Sequence, residues 1–182
     1  QMFERRTSIQ LFNIAAGDGG FSIEGEEEDD WSGYSVSSAG DVNGDGFDDL
    51  IIGARYANDA GKAYVVFGRQ NSNHVKLYNI ANGYGGFVIH GGSNYDLIGT
   101  SVSSAGDVNG DGFDDLIVGA SAADPNGSSS GSSYVVFGQK QIKIPIELSD
   151  VATGEGGFVI HGGSNYDLIG TSVSSAGDVN GD

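Results

Sequence analysis

Residues suited to binding a metal ion recur along this chain. The segment DVNGDGFDD occupies residues 41–49 and 107–115, and its first five letters return at 178–182. It sets oxygen-bearing side chains at its first, third, fifth and ninth positions, with glycines between them. Calcium binds six to eight oxygens at ~2.3–2.6 Å in a tolerant geometry, and glycine tolerates the positive φ of a tight turn. The spacing predicts a calcium loop, to which the seventh residue adds its backbone carbonyl.

The loop is not an EF-hand. An EF-hand shares the opening Asp-x-Asn-x-Asp-Gly but requires a bidentate glutamate at the twelfth position and a helix on each side. The twelfth positions here are Ile52 and Val118. Residues 35–40 and 50–53, on either side of the first loop, are short, β-branched and bounded by glycine, which predicts a hairpin of two strands.

The alternative is an acidic hairpin turn without metal, because Asp, Asn and Gly are common in turns. The recurrence of the full carboxylate set disfavours this alternative. Two carboxylates ~4 Å apart repel each other by about 1 kcal/mol in water, and by more in a less polar site. We therefore favour calcium loops.

The composition limits the partners of the chain. Its 182 residues carry a net charge of −17 and contain no cysteine. Nucleic acid and anionic membranes require a basic face, so we predict neither as a partner. No apolar run approaches the ~18 residues of a membrane helix, so we predict no direct membrane insertion.

The chain is built from repeats. Residues 87–111 are identical to residues 158–182. We predict a single repeat domain over 1–182, with a partial first unit at 1–68, a second unit at 69–138 and a truncated third unit at 139–182. Four strands are predicted in the middle unit, at 86–90, 100–105, 116–119 and 133–137. Short strands with regular turns predict an all-β fold of β-propeller blades, each of four antiparallel strands.

An up-and-down blade has two ends, and its loops divide between them. The predicted calcium loops all fall at one end of the blades. The other end carries the loops at 25–33, 55–61, 91–99 and 121–132. We expect any ligand to bind on this second face, opposite the calcium loops.

The repeat resembles a known family. The motif GxSVSSAGDVNGDGFDDLI, followed by Gly-Ala and then by YVVFG, is similar to the FG-GAP repeat, which forms the calcium-binding blades of integrin α-subunit propellers and of many bacterial exported proteins. Integrin-like propellers close a ring of about seven blades, within the range typical of propellers, and this chain holds fewer than three. The resemblance therefore implies an incomplete propeller, either a fragment whose further blades lie in a longer chain or an open array of blades.

The resemblance also implies a ligand set. Phe-Gly is replaced by Ser32-Gly33 and Ile98-Gly99, and the proline of Gly-Ala-Pro by Arg55 and Ser121, changes that touch strand ends and not ligands. The third loop lacks its ninth-position ligand. By resemblance, the side-chain ligands are Asp41, Asn43, Asp45 and Asp49 in the first loop, Asp107, Asn109, Asp111 and Asp115 in the second, and Asp178, Asn180 and Asp182 in the third. Phe47 and Phe113 add their backbone carbonyl oxygens to the first and second loops.

The family implies a function. We expect a calcium-binding, non-catalytic scaffold for adhesion or recognition in a secreted or cell-surface protein, with a protein or carbohydrate ligand. Two alternatives stay open: an accessory propeller domain of an exported hydrolase, and a structural repeat protein of a surface layer or matrix.

Two features resemble catalytic patterns. Residues 127–131 spell the Gly-x-Ser-x-Gly of a nucleophile elbow, which works only on a strained strand-to-helix turn with a histidine and an acid in reach. Here the pattern lies in a serine- and glycine-rich insertion that the first unit lacks. His90 and His161 share one repeat position, and His74 is solitary. We therefore predict no enzymatic activity.

Three further groups of residues are of interest. The acidic loop at 26–30 is either solvated or a second cation or recognition site. Asp48 and Asp114 are predicted to face solvent or to support a ligand without binding metal themselves. Aromatic residues dominate binding contacts, so a sugar- or peptide-binding surface and packing between blades are both open for Trp31, Tyr34, Tyr56, Tyr95 and Tyr166.

Overall fold

The computed structural model describes residues 10–70, 73–142 and 144–177. Three single-turn helices lie within these ranges: α1 (Leu11–Ala15), α2 (Leu77–Ala81) and α3 (Leu148–Ala152). The rest of the regular structure is almost entirely β, and the strands are β1 (Ile23–Glu24), β2 (Ser32–Gly40), β3 (Asp49–Ala54), β4 (Lys62–Val66), β5 (Val75–Lys76), β6 (Gly86–His90), β7 (Ile98–Gly106), β8 (Asp115–Ala120), β9 (Ser132–Val136), β10 (Ile146–Glu147) and β11 (Gly157–His161).

Two four-stranded antiparallel blades account for the longer strands. The first blade has the order β6-β4-β3-β2, and the second has the order β11-β9-β8-β7. Each pair of neighbours in a blade is antiparallel. In the part of the chain that the structure describes, the two sheets stay separate. The predicted fold class, an incomplete set of all-β propeller blades, is confirmed.

The strand at residues 86–90 corrects the predicted grouping. The sequence analysis placed it with the strands that follow it, as the opening strand of the middle unit. In the structure β6 pairs with β4 of the first blade, with Val65 opposite Phe87 and Ala63 opposite Ile89. The matching strand β11 closes the second blade in the same way. Each blade therefore takes its outermost strand from the sequence unit after it.

The central strands of the first blade are buried on both faces, by the second blade on one side and by the segment that carries α2 on the other. Alternate residues along a strand point to opposite faces of the sheet, and the first blade follows this rule. One face of the first blade joins the core that it shares with the second blade, and the other joins a core that includes α2. The residues of β3, β4 and β6 that face the second blade include Ile51, Val65, Phe87 and Ile89, and those on the other face include Ile52, Tyr64, Val66 and Val88.

The segments between blades combine a short strand with one helical turn. In α2 the buried residues are Leu77 and Ile80, which sit three apart and so lie on one face of the turn. The preceding strands pair in parallel, β5 with β1 and β10 with β6.

Neighbouring blades approach through glycine. A Cβ atom on Gly53 would lie 2.1 Å from the carbonyl oxygen of Gly99, so no larger residue fits there. The Ser35 hydroxyl donates a hydrogen bond of 2.8 Å to the same carbonyl. The contact recurs one repeat later, where Ser101 donates to the Gly170 carbonyl oxygen at 2.8 Å. The start of the third unit therefore meets the second blade as the second blade meets the first.

The hairpins divide the loops between two ends of the blades. The acidic-loop face carries the first acidic loop (residues 41–49) and the second acidic loop (residues 107–115), which join β2 to β3 and β7 to β8. The opposite face carries residues 25–31, 55–61, 91–97 and 121–131. No helix in the described ranges is long and apolar enough to span a membrane.

Candidate metal centre

Asp41 organises the first acidic loop. Its Oδ1 accepts hydrogen bonds from the backbone N–H groups of Gly44 at 2.8 Å and of Asp45 at 3.0 Å, and its Oδ2 accepts one from Gly46 at 2.8 Å. Gly44 and Gly46 have φ of 73° and 88°. Because glycine adopts positive φ without strain, the backbone can wrap closely around the Asp41 carboxylate.

The side chains of Asn43 and Asp45 also form hydrogen bonds within the first acidic loop. The Asn43 Oδ1 accepts the Asp45 N–H at 2.8 Å, and the Asn43 amide donates to the Asp45 Oδ2 at 3.1 Å. The Asp45 Oδ1 accepts the N–H of Phe47 at 2.9 Å. Asn and Asp side chains commonly bond to the backbone two residues on, so the first, third and fifth positions build one continuous turn.

Asp49 fixes the end of the loop inside the protein. Its side chain is fully buried. It accepts the Val42 N–H at 3.1 Å and the Gly68 N–H at 2.7 Å, so it joins the start of the loop to the exit from β4. Burial raises the pKa of Asp49 to about 6 against the opposing effect of these two hydrogen bonds.

The second acidic loop has the same hydrogen bonds. Asp107 accepts three backbone N–H groups at 2.8, 3.0 and 2.9 Å. Asn109 and Asp111 repeat the bonds of Asn43 and Asp45. Asp115 is buried and accepts the N–H groups of Val108 and Gly138, and burial raises its pKa as well. The structure thus brings together the predicted side chains of both loops in equivalent arrangements.

The side-chain oxygens of the loop are of the type that calcium binds. A carboxylate oxygen has two lone pairs, and the backbone hydrogen bonds use only part of this capacity. After these bonds, Asp41 Oδ2, Asn43 Oδ1 and both oxygens of Asp45 and Asp49 each keep one lone pair for a cation. Within the described ranges no three His, Cys, Asp or Glu side chains converge as a metal cluster. A calcium site here therefore depends on the Asn43 amide and on backbone oxygens together with the carboxylates.

The third predicted site has no structural description. Asp178, Asn180 and Asp182 lie outside the residues that the structure describes. They remain a prediction from the sequence.

Sequence analysis missed a link between the two loops. The Asp114 Oδ2 accepts a hydrogen bond of 2.8 Å from the backbone N–H of Asp41. The equivalent carboxylate of Asp48 is exposed and makes no hydrogen bond within the described residues. The only available signal was that an aspartate stands at the eighth position of both loops, beyond the four ligand positions.

The opposite face carries an aromatic cluster that belongs to the first unit alone. The Trp31 ring lies 4.9 Å from Tyr56 and 6.2 Å from Tyr34, measured between ring centroids. The guanidinium carbon of Arg55 lies 4.4 Å from the Tyr34 ring centroid and 4.9 Å from that of Tyr56. All three rings are substantially exposed. The second unit has Leu97, Thr100, Ser121 and Ala122 at these positions.

The sequence predicted the aromatic members of this cluster. Trp31, Tyr34 and Tyr56 do come together, whereas Tyr95 and Tyr166 are separate exposed residues. Arg55 was noted only as a departure from the Gly-Ala-Pro pattern. Its planar cation stacks well on aromatic rings, and this role was not apparent from the sequence.

The acidic loop at 26–30 is partly structural. Lys62 is buried and its ammonium lies 2.8 Å from Glu26, which also accepts a hydrogen bond from the Tyr64 hydroxyl. Burial raises the pKa of Glu26, but the bonds from Lys62 and Tyr64 outweigh burial and hold it below its usual value. Glu26 is thus neither a purely solvated charge nor available to a cation. Glu27, Glu28 and Asp29 remain exposed.

Two of the three histidines, His74 and His161, have ordinary polar partners. His74 bonds to Ser22 and to the Glu24 carboxylate, the latter at 2.9 Å, and His161 bonds to Ser132 at 3.0 Å. Among the described residues, no histidine bonds to a serine of the 127–131 segment. The segment is instead a loop, in which the Ser129 N–H donates to Asp124.

The architecture defines a class of protein: stacked four-stranded antiparallel blades whose first hairpin carries an acidic, glycine-rich loop. The pattern of the FG-GAP repeat matches residues 32–66 and 98–136, which run from the first to the third strand of each blade. The chain therefore contains two copies of the FG-GAP repeat, one in each blade.

Relatives of the chain include integrin alpha subunits. It is 35% identical to integrin alpha pat-2 of Caenorhabditis elegans over 116 residues, 62% of this chain and 9% of that protein. It is 33% identical to integrin alpha-PS2 of Drosophila melanogaster over 129 residues, 65% of this chain and 8% of the relative. Integrin alpha-IIb of Mus musculus matches 80% of the chain at 27% identity. The chain spans between 8% and 14% of the length of these three relatives.

Proposed function

We propose that this chain is a calcium-binding FG-GAP propeller module that serves as a non-catalytic scaffold for adhesion or recognition in a secreted or cell-surface protein. The observation that carries the proposal is the repetition of one donor arrangement in the two acidic loops, down to the same hydrogen bonds. The similarity to integrin alpha subunits supports the adhesion role and the extracellular location.

The metal-binding role follows from the loop residues. In the first loop the ligands are the side chains of Asp41, Asn43, Asp45 and Asp49 with the Phe47 carbonyl oxygen, and the second loop supplies Asp107, Asn109, Asp111, Asp115 and Phe113. Bound calcium neutralises carboxylates that otherwise repel one another. Asp41 and Asp107 hold the turn in shape for the cation, and Asp49 and Asp115 attach it to the core. Affinity suits an extracellular calcium level, with a Kd of ~10⁻⁴–10⁻³ M.

The ligand-binding role is assigned to the opposite face. Trp31, Tyr34, Tyr56 and Arg55 form an exposed group of the residue types that dominate binding hot spots. Because the second unit lacks them, they are not required to build a blade. We propose a protein or carbohydrate ligand for this cluster.

Further blades are the expected neighbours of both outer surfaces. Phe158 of the second blade is 39% exposed, whereas the equivalent Phe87 in the first blade is 2% exposed. On the other side Val36 is 67% exposed, whereas the equivalent Val102 is 6% exposed. Exposed apolar surface of this kind is typical of an interface. More propeller blades of the same protein would cover both surfaces.

A calcium titration of the full chain tests the metal-binding role. We expect calorimetry to show two or more sites that select calcium over magnesium, and a higher melting temperature in calcium than in chelator, because calcium binds the folded loops only. Asp45→Ala and Asp111→Ala should each remove one binding event. Glu28→Ala, which removes one exposed carboxylate from the opposite face, should remove none.

The outcome that contradicts the proposal is equally clear. If the wild-type chain melts at one temperature in calcium, magnesium and chelator, and calorimetry detects no binding at millimolar calcium, the acidic loops are metal-free hairpins.

A further inference from the structure

The two acidic loops bond directly to each other across the boundary between the blades. The backbone N–H of Asp41 donates to the Asp114 carboxylate at 2.8 Å, and the Asp114 N–H donates to the Asp41 carbonyl oxygen at 3.2 Å. A third bond runs from the Gln139 N–H to the Val42 carbonyl oxygen at 3.0 Å. The residue that organises the first loop is therefore held at its backbone by the second.

The fit between the loops is close. A Cβ atom on Gly40 would lie 2.2 Å from the Asp114 carboxylate, and one on Gly44 would lie 2.5 Å from the Phe113 ring. Contacts this short exclude any side chain at Gly40 and Gly44 unless the second loop moves. Only the first loop is covered by a neighbouring loop, because Val42 is 0% exposed and its equivalent Val108 in the second loop is 53% exposed.

We propose that Asp114 is a positioning residue for the metal site of the neighbouring loop, so that the calcium affinity of the first acidic loop depends on the second. This inference rests on the calcium binding proposed above. Asp114 does not touch the cation. It holds the Asp41 backbone while the Asp41 carboxylate gathers three N–H groups, and a site that is already ordered loses less entropy on binding.

The bond has the chemistry for this role. A backbone N–H that donates to a carboxylate makes a charge-assisted hydrogen bond, stronger than one between neutral groups. Coupling between two sites is reciprocal, so calcium in the first loop also favours the bound position of Asp114. Each blade therefore helps to prepare the site of the blade before it.

The test uses a matched pair of substitutions in the full chain. Asp114→Ala removes the eighth-position carboxylate of the second loop together with its bond to the first. Asp48→Ala removes the same carboxylate from the first loop, where it has no such bond. Calcium is titrated while the backbone amide signals of Gly44 and Gly46 are followed by NMR for the first loop, and those of Gly110 and Gly112 for the second.

We expect Asp114→Ala to weaken calcium binding at Gly44 and Gly46 about tenfold, the scale of one hydrogen bond to a charged group. Asp48→Ala should leave binding at Gly110 and Gly112 unchanged. Asp114→Asn keeps an acceptor oxygen and should restore most of the affinity of the first loop. If Asp114→Ala changes only the second loop, the coupling is disproved.

A metal-free measurement separates this inference from the proposed calcium binding. In chelator, hydrogen exchange at the Asp41 amide should accelerate in Asp114→Ala and not in Asp48→Ala. Unchanged exchange at Asp41 refutes the positioning role, whatever the metal result. If no glycine amide of the wild type responds to calcium, the proposed calcium site is refuted, and the coupling of affinities is refuted with it. Accelerated exchange at Asp41 would still establish Asp114 as the residue that holds Asp41.

Discussion

The acidic-loop face and the opposite face of the blades follow different rules. On the acidic-loop face, Asp41 and Asp107 accept the same three N–H groups at distances that agree within 0.1 Å. On the opposite face, Trp31 of the first unit corresponds to Leu97 of the second, and Arg55 corresponds to Ser121. One face repeats its chemistry and the other changes it from unit to unit.

The difference arises because neighbouring loops constrain each other more tightly on the acidic-loop face than on the opposite face. Loops that touch their neighbours cannot vary independently, because each must fit the next, and Asp114 against Gly40 shows how tight that fit is. Loops on the opposite face contact the next blade mainly through backbone groups, as between the Tyr95 N–H and the Asp59 carbonyl. Their side chains are therefore free to differ from unit to unit.

The largest expected effect breaks the fit on the acidic-loop face. Gly40 and Gly106 are repeat equivalents with φ of 70° and 74°. Alanine strains either position by about 1–2 kcal/mol, but only at Gly40 does it also collide with Asp114, and overpacking adds ~1–3 kcal/mol. We expect Gly40→Ala to lower the free energy of unfolding by about 3 kcal/mol and Gly106→Ala by about 1 kcal/mol, as measured by urea denaturation. Equal losses would show that the loops do not constrain each other.

A smaller loss is expected from the one buried ion pair described on the opposite face. Lys62→Met leaves Glu26 without its cation, though with the Tyr64 hydroxyl. Breaking a buried pair costs about 3–5 kcal/mol, and the retained hydrogen bond should reduce this to about 2 kcal/mol. The double variant Lys62→Met with Glu26→Gln should recover most of the loss, because no uncompensated charge then remains. A double variant as unstable as Lys62→Met would refute this explanation.

The pH dependence of stability distinguishes equivalent carboxyls on the opposite face. Burial, with the charge of Asp124, raises the pKa of Asp96 to about 6, above its value of about 3.9 in an unfolded chain. The folded state therefore binds more protons between these values. The contribution of Asp96 to the free energy of unfolding is complete below its unfolded-state pKa of about 3.9. It is lost as the pH rises through its folded-state pKa of about 6.

The matching experiment compares Asp96→Asn with Asp30→Asn by urea denaturation at several pH values in chelator. Burial raises the pKa of Asp30 too, but the nearby Lys62 opposes the shift. We expect Asp96→Asn to be more stable than wild type at pH 7, with the difference disappearing toward pH 4, and Asp30→Asn to gain less. A gain for Asp96→Asn that does not depend on pH would contradict this assignment.

The smallest effect is expected at the aromatic cluster. Trp31 is 55% exposed and is the only tryptophan of the chain. Trp31→Ala should change the free energy of unfolding by less than about 0.5 kcal/mol, as is usual for an exposed position. Its fluorescence in the wild type should not change when calcium is added. A calcium-dependent emission shift would show that the two faces are not independent.

Local features of the fold were predictable from the sequence, and long-range ones were not. The acidic loops, their flanking strands and the all-β class follow from spacings within about twenty residues, reinforced by an identical second copy. The partner of β6 was predicted wrongly, because the apolar run GFVIH suits a buried strand in either blade. The bond from Asp41 to Asp114 and the pairing of Glu26 with Lys62 join residues far apart in the chain, and neither has a spacing that reveals it.

The pairing of β6 and β11 with the preceding blade affects how such a chain can change length. Because every sheet receives its last strand from the next sequence unit, inserting or deleting one whole unit within the run leaves each sheet complete on both sides of the junction. Recombination between units as alike as residues 87–111 and 158–182 therefore joins them without leaving a sheet short of a strand.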